Sequence, residues 1–185
     1  MQIIVRVALT PEQYVESKHH QQIVRPDQCP NCQKAATLKA LGYYSRFVSI
    51  LLKAAALEIW VRRFWCRLCD ITVSCLPDFA QPYRVVNNHT IEAGFRGEDR
   101  PDVQRWASLL GDYWKCLQSH WPELRTRVGA VFGRYAPDAT ARQFWEQIIK
   151  ACGSLDTATR RLVSDFRTTL FATYQCHQPQ NYQTR

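Results

Sequence analysis

The sequence predicts an α+β fold, a short antiparallel β-sheet in residues 1–85 followed by a C-terminal α-helical bundle in residues 86–185. Three observations carry this expectation. β-branched and aromatic residues cluster in short runs before residue 85, and apolar residues recur at steps of three and four after it. Two Cys-x-x-Cys pairs also sit in the first part, at Cys29/Cys32 and Cys66/Cys69.

Strands are expected over Gln2–Leu9, Thr37–Tyr44, Leu57–Trp65 and Ile71–Leu76. Thr10-Pro11-Glu12 is a helix-start pattern, so a short helix is expected within Thr10–His20. Leu51–Ala56 fits either a helical turn or part of a long hairpin connection. Beyond Asn88–Phe95, the stripe Val103, Trp106, Leu110, Tyr113, Trp114, Leu117 and Trp121 predicts one helix over 101–121. Pro122 is expected to begin another, reaching Phe132. Ala141, Phe144, Trp145, Ile148, Ile149 and Cys152 make a further helix capped by Gly153. The stripe from Leu155 through Phe166 and Phe171 to Tyr174 predicts a last helix, and the tail from His177 is polar.

No run of eighteen apolar residues exists, so no membrane span is expected, and the opening Met1–Val7 reads as a strand rather than a signal peptide. The formal charge is +8 and the sequence pI is about 9.2, a balance that favours polyanionic partners. Residues 1–100 hold thirteen basic against nine acidic residues and residues 101–185 eleven against seven, so no tail concentrates the excess.

Of the eight cysteines, Cys75, Cys116, Cys152 and Cys176 stand singly. Two tight pairs with no export signal point to metal in a reducing compartment, hence a cytoplasmic protein. Two intervening residues let a turn aim both thiolates at one ion. Two such knuckles supply the four soft ligands of a tetrahedral site, here Cys29, Cys32, Cys66 and Cys69. One structural Zn2+ in a zinc ribbon is therefore expected, with no open coordination position for catalysis. A redox Cys-x-x-Cys would need a neighbouring βαβ pattern, which is absent. Cys75 and Cys152 suit core packing, and His19-His20 a solvated helix end.

Val24-Arg25-Pro26-Asp27-Gln28-Cys29-Pro30-Asn31-Cys32 leads into Leu41-Gly42-Tyr43-Tyr44-Ser45-Arg46. Val61-Arg62-Arg63-Phe64-Trp65-Cys66-Arg67-Leu68-Cys69 is then followed by Leu76-Pro77-Asp78-Phe79 and Ala80-Gln81-Pro82-Tyr83-Arg84. Over roughly residues 1–110 this resembles the zinc-ribbon/helix-turn-helix segment of bacterial insertion-sequence transposases and related short uncharacterised mobile-element proteins. The resemblance implies DNA binding in the bacterial cytosol or nucleoid. The matching helix-turn-helix would be Asn88–Phe95, the short acidic turn Gly97-Glu98-Asp99, and Val103-Gln104-Arg105-Trp106.

From Val24 to Val85 nine basic residues face four acidic ones and interleave with aromatics. Any one ring or arginine is explained by a small core and its wet face. As a cluster, Arg46, Arg62, Arg63 and Arg67 are candidate DNA contacts, joined by Arg84, Arg96, Arg100 and Arg105 around the turn. Asp112, Glu123, Asp138 and Asp156 read as helix-terminal or surface acids, and no Ser-His-Asp order, phosphate loop or HExxH is present. The expected function is a non-catalytic DNA-binding accessory or regulator of a mobile element, its C-terminal helices serving a homodimer or a transposition-complex partner. The alternatives are a protein-interaction adaptor with the ribbon as scaffold, and the remnant of a transposase N-terminus.

Overall fold

The runs of β-branched and aromatic residues fold into four strands, β1 (Gln2–Val5), β2 (Leu38–Ser49), β3 (Ala56–Cys66) and β4 (Thr72–Pro77). They form one sheet of order β1-β4-β3-β2 in the computed structural model, which describes residues 1–171. β2 and β3 are longer than expected and pair antiparallel from Leu38↔Cys66 to Ser49↔Ala56. Ile50 N–H donates to Ala55 O at 2.9 Å, so the segment after it is a hairpin connection and not a helical turn. The register shifts between Ala40 and Gly42, where Gly42 takes φ 117, a conformation L side chains rarely adopt.

β3 also pairs antiparallel with β4. β1, however, lies parallel to β4, which makes the sheet mixed and corrects the purely antiparallel expectation at this edge. The reason is topological. The chain leaves β1, passes through α1 and the whole hairpin, and returns beside β1 only at β4, a crossover long enough for parallel pairing.

α1 (Pro11–Glu16) starts as its sequence signals, with Pro11 in the first turn and a capping box between Thr10 and Gln13. A 3-10 turn over His19–Gln21 follows. The second half is helical, with α2 (Asn88–Arg96), α3 (Pro101–Arg105), α4 (Ala107–Val128), α5 (Ala141–Cys152) and α6 (Leu155–Phe166).

Among the strands, β1 ends at Val5 where Leu9 was expected, and three helix boundaries differ as well. The helix predicted over 101–121 breaks at Trp106, which turns to φ −102 and ψ 12. Pro122 lies inside α4 and begins no new helix. Tyr113, Leu117, Leu124 and Val128 are all buried on one stripe, and that burial outweighs the backbone bond Pro122 cannot make. α6 stops at Phe166 because Arg167 turns left-handed at φ 49 and the Thr168 N–H closes onto Leu162 O at 3.0 Å. The chain then runs back so that Leu170 and Phe171 enter the core. Tyr174, Cys176 and the tail from His177 lie outside the described residues.

Apolar packing gathers in three places. The helices share one core around Phe95, Tyr113, Leu117, Phe144, Trp145 and Leu162. Val48, Ile59, Val61, Leu76 and Phe79 pack with Tyr14 on the sheet. Leu38, Phe64, Val73 and Cys75 pack around Cys29 and Cys66.

Polar ties join the two halves. The Asn87 side chain caps α2 by accepting from Thr90 N–H at 2.8 Å, while its amide donates to Ser49 O at 2.8 Å. Gln81 Nε2 donates to Thr159 Oγ1 at 2.5 Å, and Arg167 Nη2 to Pro30 O at 3.0 Å. The hairpin and the first knuckle are thereby fixed against the helices.

Candidate metal centre and hairpin face

The two Cys-x-x-Cys turns are conformational twins. In the first, Gln33 N–H donates back to Cys29 O at 2.8 Å; in the second, Asp70 N–H donates back to Cys66 O at 3.0 Å. The residue after each second cysteine is left-handed, Gln33 at φ 57 and Asp70 at φ 55. Such a conformation costs an ordinary residue about 1 kcal/mol, so its repetition at both turns marks a constraint the two share. The Trp65 indole N–H donates to Asp70 Oδ1 at 2.6 Å and steadies the second turn.

The sheet brings the turns together. Leu38↔Cys66 pairing seats the second turn at the root of the hairpin, close after the first turn in sequence. The four sulfurs of Cys29, Cys32, Cys66 and Cys69 all lie within 4.8 Å of one another. Cys29 Sγ is 3.6 Å from Cys69 Sγ, and Cys32 Sγ is 3.7 Å from Cys66 Sγ. A tetrahedral thiolate site with bonds of about 2.3 Å has edges of about 3.8 Å, so the donors fit a four-coordinate ion.

The electrostatics agree with that fit. Burial pushes the Cys29 thiol up to about 12 against the pull of the Cys32 and Asn31 amides. Burial also raises Cys69. Burial opposes ionisation of Cys66 as well, but the Thr37 hydroxyl and the Cys69 and Leu68 amides outweigh it and hold that thiol down at about 6. Four neighbouring thiolates repel one another, and a cation among them removes that repulsion. Cys75, fully buried beside this set, is pushed up to about 12 by burial and packs as core.

The eight candidate arginines divide by what they hold. Arg46 is largely desolvated and donates to Gln81 O at 3.0 Å and to Arg84 O. Arg84 donates to Phe171 O and lies 5.0 Å over the Tyr113 ring. Both tie distant segments together. Arg96 pairs with Glu92, and Arg100 pairs with Asp102 Oδ2 at 2.6 Å and Glu98 Oε2 at 3.3 Å. Arg62 and Arg63 point to opposite faces of β3, over Tyr43 at 4.7 Å and Tyr44 at 5.9 Å. Arg67 is exposed beside the second turn, and Arg105 is exposed over the Trp106 ring at 5.3 Å.

The helix pair around Gly97 is present as α2 and α3, but α3 has five residues and its Asp102 is fully buried against Thr90 and Arg100. Asp156, expected as a helix-terminal or surface acid, stands in the first turn of α6 and lies 3.4 Å from His89 in a cavity of about 310 Å³ that Asp78 and Thr10 also line. Phe47 had no place among the candidates, yet it is 59% exposed. Its alternation with Tyr43 along β2 is the sequence signal that finds it.

No protein family, no curated protein and no solved structure matches this chain. The function therefore rests on the site itself. No described helix is long and apolar enough to cross a membrane.

Proposed function

We propose that this chain is a zinc-ribbon DNA-binding protein, a non-catalytic accessory or regulatory factor of a mobile genetic element working in the bacterial cytoplasm. The observation that carries the reading is the hairpin rooted in the cysteine tetrad. Between Thr37 and Arg67 it holds six Lys or Arg residues against one acid, Glu58. Zinc suits four thiolates in tetrahedral array and adds no reactive position, so its role is to hold the hairpin root. The sequence resemblance over roughly residues 1–110 supports the same assignment.

Contacts are assigned by what each cation already holds. Arg62 offers a phosphate contact from one face of the hairpin and Arg63 from the other, Arg67 offers one from the second turn, and exposed Arg105 is a separate contact in the helical half. Arg96 and Arg100 are neutralised by carboxylates, while Arg46 and Arg84 act as internal ties. The hairpin, more than the α2–α3 pair, is thus the gripping element.

A gel shift of the zinc-loaded protein on duplex and single-stranded DNA at low salt tests this. Binding that weakens steeply as salt rises from about 50 to about 200 mM is expected, since each phosphate contact releases counterion. Arg63→Ala combined with Arg67→Ala weakens it by about tenfold and flattens the salt slope by about two. No shift with any DNA at low salt sinks the reading.

A further inference from the structure

Among the described residues, one surface of the hairpin is left largely uncovered. Residues directly opposite across β2 and β3 share a face, so Tyr43 with Arg62, Ser45 with Trp60, and Phe47 with Glu58 lie on one side. On the other side Val48, Ile59 and Val61 are fully buried. β4 pairs with β3 only at Arg62–Trp65, so the outer part of the hairpin projects beyond the rest of the sheet. Its open face carries Tyr43, Trp60 and Phe47 at 37%, 46% and 59% exposure. Among the described residues four aromatic side chains are counted as exposed, and three of them stand in this row.

The spacing of the row is informative. Trp60 sits opposite Ser45 on the neighbouring strand, diagonal to both Tyr43 and Phe47, so successive members of the row are about 7–8 Å apart and form one continuous strip. Tyr43 is already braced, its ring edge-on to His20 at 5.1 Å and its hydroxyl accepting from Arg62 Nη1. Arg62 flanks the row at one end, while Lys53, near the hairpin turn, is exposed but lies 3.9 Å from Glu12. With six Lys or Arg residues against one acid between Thr37 and Arg67, the apolar row sits on a net-positive hairpin, which complements a polyanion with accessible base faces.

We propose that this face is a stacking platform for single-stranded nucleic acid, with Trp60 and Phe47 taking unpaired bases and Arg62, braced on Tyr43, a backbone phosphate. The proposal rests on the DNA-binding function above and names the strand form it prefers. A duplex offers only base edges and phosphates, because its base faces are stacked on each other; an extended strand offers both a face and a phosphate at every step. Glu58, opposite Phe47, is the one group on the row that opposes a phosphate.

Fluorescence anisotropy of the full zinc-loaded chain with labelled oligothymidylate, oligouridylate and a duplex of equal length tests it. The single strands bind at least about tenfold tighter than the duplex; oligothymidylate against oligouridylate tells whether DNA or RNA is favoured. Trp60→Ala and Phe47→Ala each weaken single-strand binding by about tenfold, Trp60→Tyr keeps most of it, and Glu58→Gln tightens it about threefold. Zinc content and thermal melting of each variant match the wild type, since the substituted side chains are exposed. Equal or tighter duplex binding, or unchanged single-strand affinity in Trp60→Ala and Phe47→Ala, overturns the platform while leaving the DNA-binding function standing. A wild-type dimer that Trp60→Ala converts to monomer assigns the row to self-association and overturns it too. Absence of binding to all three probes at low salt removes the underlying function as well.

Discussion

At the residue scale, the cysteine tetrad and Asp102 are the side chains whose loss has the clearest consequence. Cys69→Ser removes one of four donors and leaves three thiols around an incomplete sphere. Metal content measured by mass spectrometry falls from about one ion per chain to a small fraction of that, and the unfolding free energy drops by more than about 4 kcal/mol. Asp102 is fully buried, and burial alone raises its pKa, yet the Arg100 guanidinium and the Thr90 hydroxyl more than offset this and hold it below its ordinary value of 3.8. Its folded-state pKa lies below the unfolded one, so its contribution is complete above about pH 4 and fades as pH falls through the folded pKa. Asp102→Asn costs about 2–3 kcal/mol at neutral pH, tempered because Arg100 keeps some water. Chemical denaturation at a series of pH values checks this: the deficit relative to wild type holds near neutrality and shrinks below about pH 4. The clustering of the four cysteines was legible in the sequence because Cys-x-x-Cys spacing acts within a single turn. The internal roles of Arg46 and Arg84 were not, because their acceptors, the carbonyls of Gln81, Arg84 and Phe171, are brought near only by folding.

At the element scale, the joint between the hairpin and α2 depends on one side chain. Asn87 caps α2 and donates to Ser49, whose own hydroxyl accepts from Asn87 N–H at 2.9 Å. Asn87→Ala loses the cap and the side-chain amide that donates to Ser49 O, while the backbone N–H keeps its bond to the Ser49 hydroxyl, a loss of about 1–3 kcal/mol measurable by denaturant unfolding. The helix start at Thr10 was legible from Thr10-Pro11-Glu12, whereas Thr140, which caps α5 with Gln143, was not singled out. α4 was not, because Pro122 is a strong local stop signal and only the burial of Leu124 and Val128 carries the helix past it. Leu117, fully buried at the centre of that stripe, tests the point. Leu117→Ala lowers stability by about 2–5 kcal/mol, whereas Pro122→Ala raises it, by up to about 3 kcal/mol, as the missing backbone bond is restored.

At the scale of the whole molecule, the strands-then-helices order was readable from the switch in apolar period near residue 85. The parallel seat of β1 beside β4 was not, since pairing across more than seventy residues leaves no local mark. The tie of Arg167 to Pro30 O is of the same kind. The second of these joins the first knuckle to the helical half, so loss of an ion bound by the four sulfurs is expected to be felt beyond them. Hydrogen exchange after chelation shows this as lost protection in β2, β3 and the first knuckle, with the α4–α5 core retained longer. The proposed nucleic-acid role stands on a hairpin whose root the four cysteines would hold around a zinc ion. X-ray absorption at the zinc edge on purified protein tests the claim most directly: one zinc per chain with four sulfurs at about 2.3 Å is the predicted result. A chain that folds without metal, or a metal bound by nitrogen and oxygen in place of the four cysteines, contradicts it.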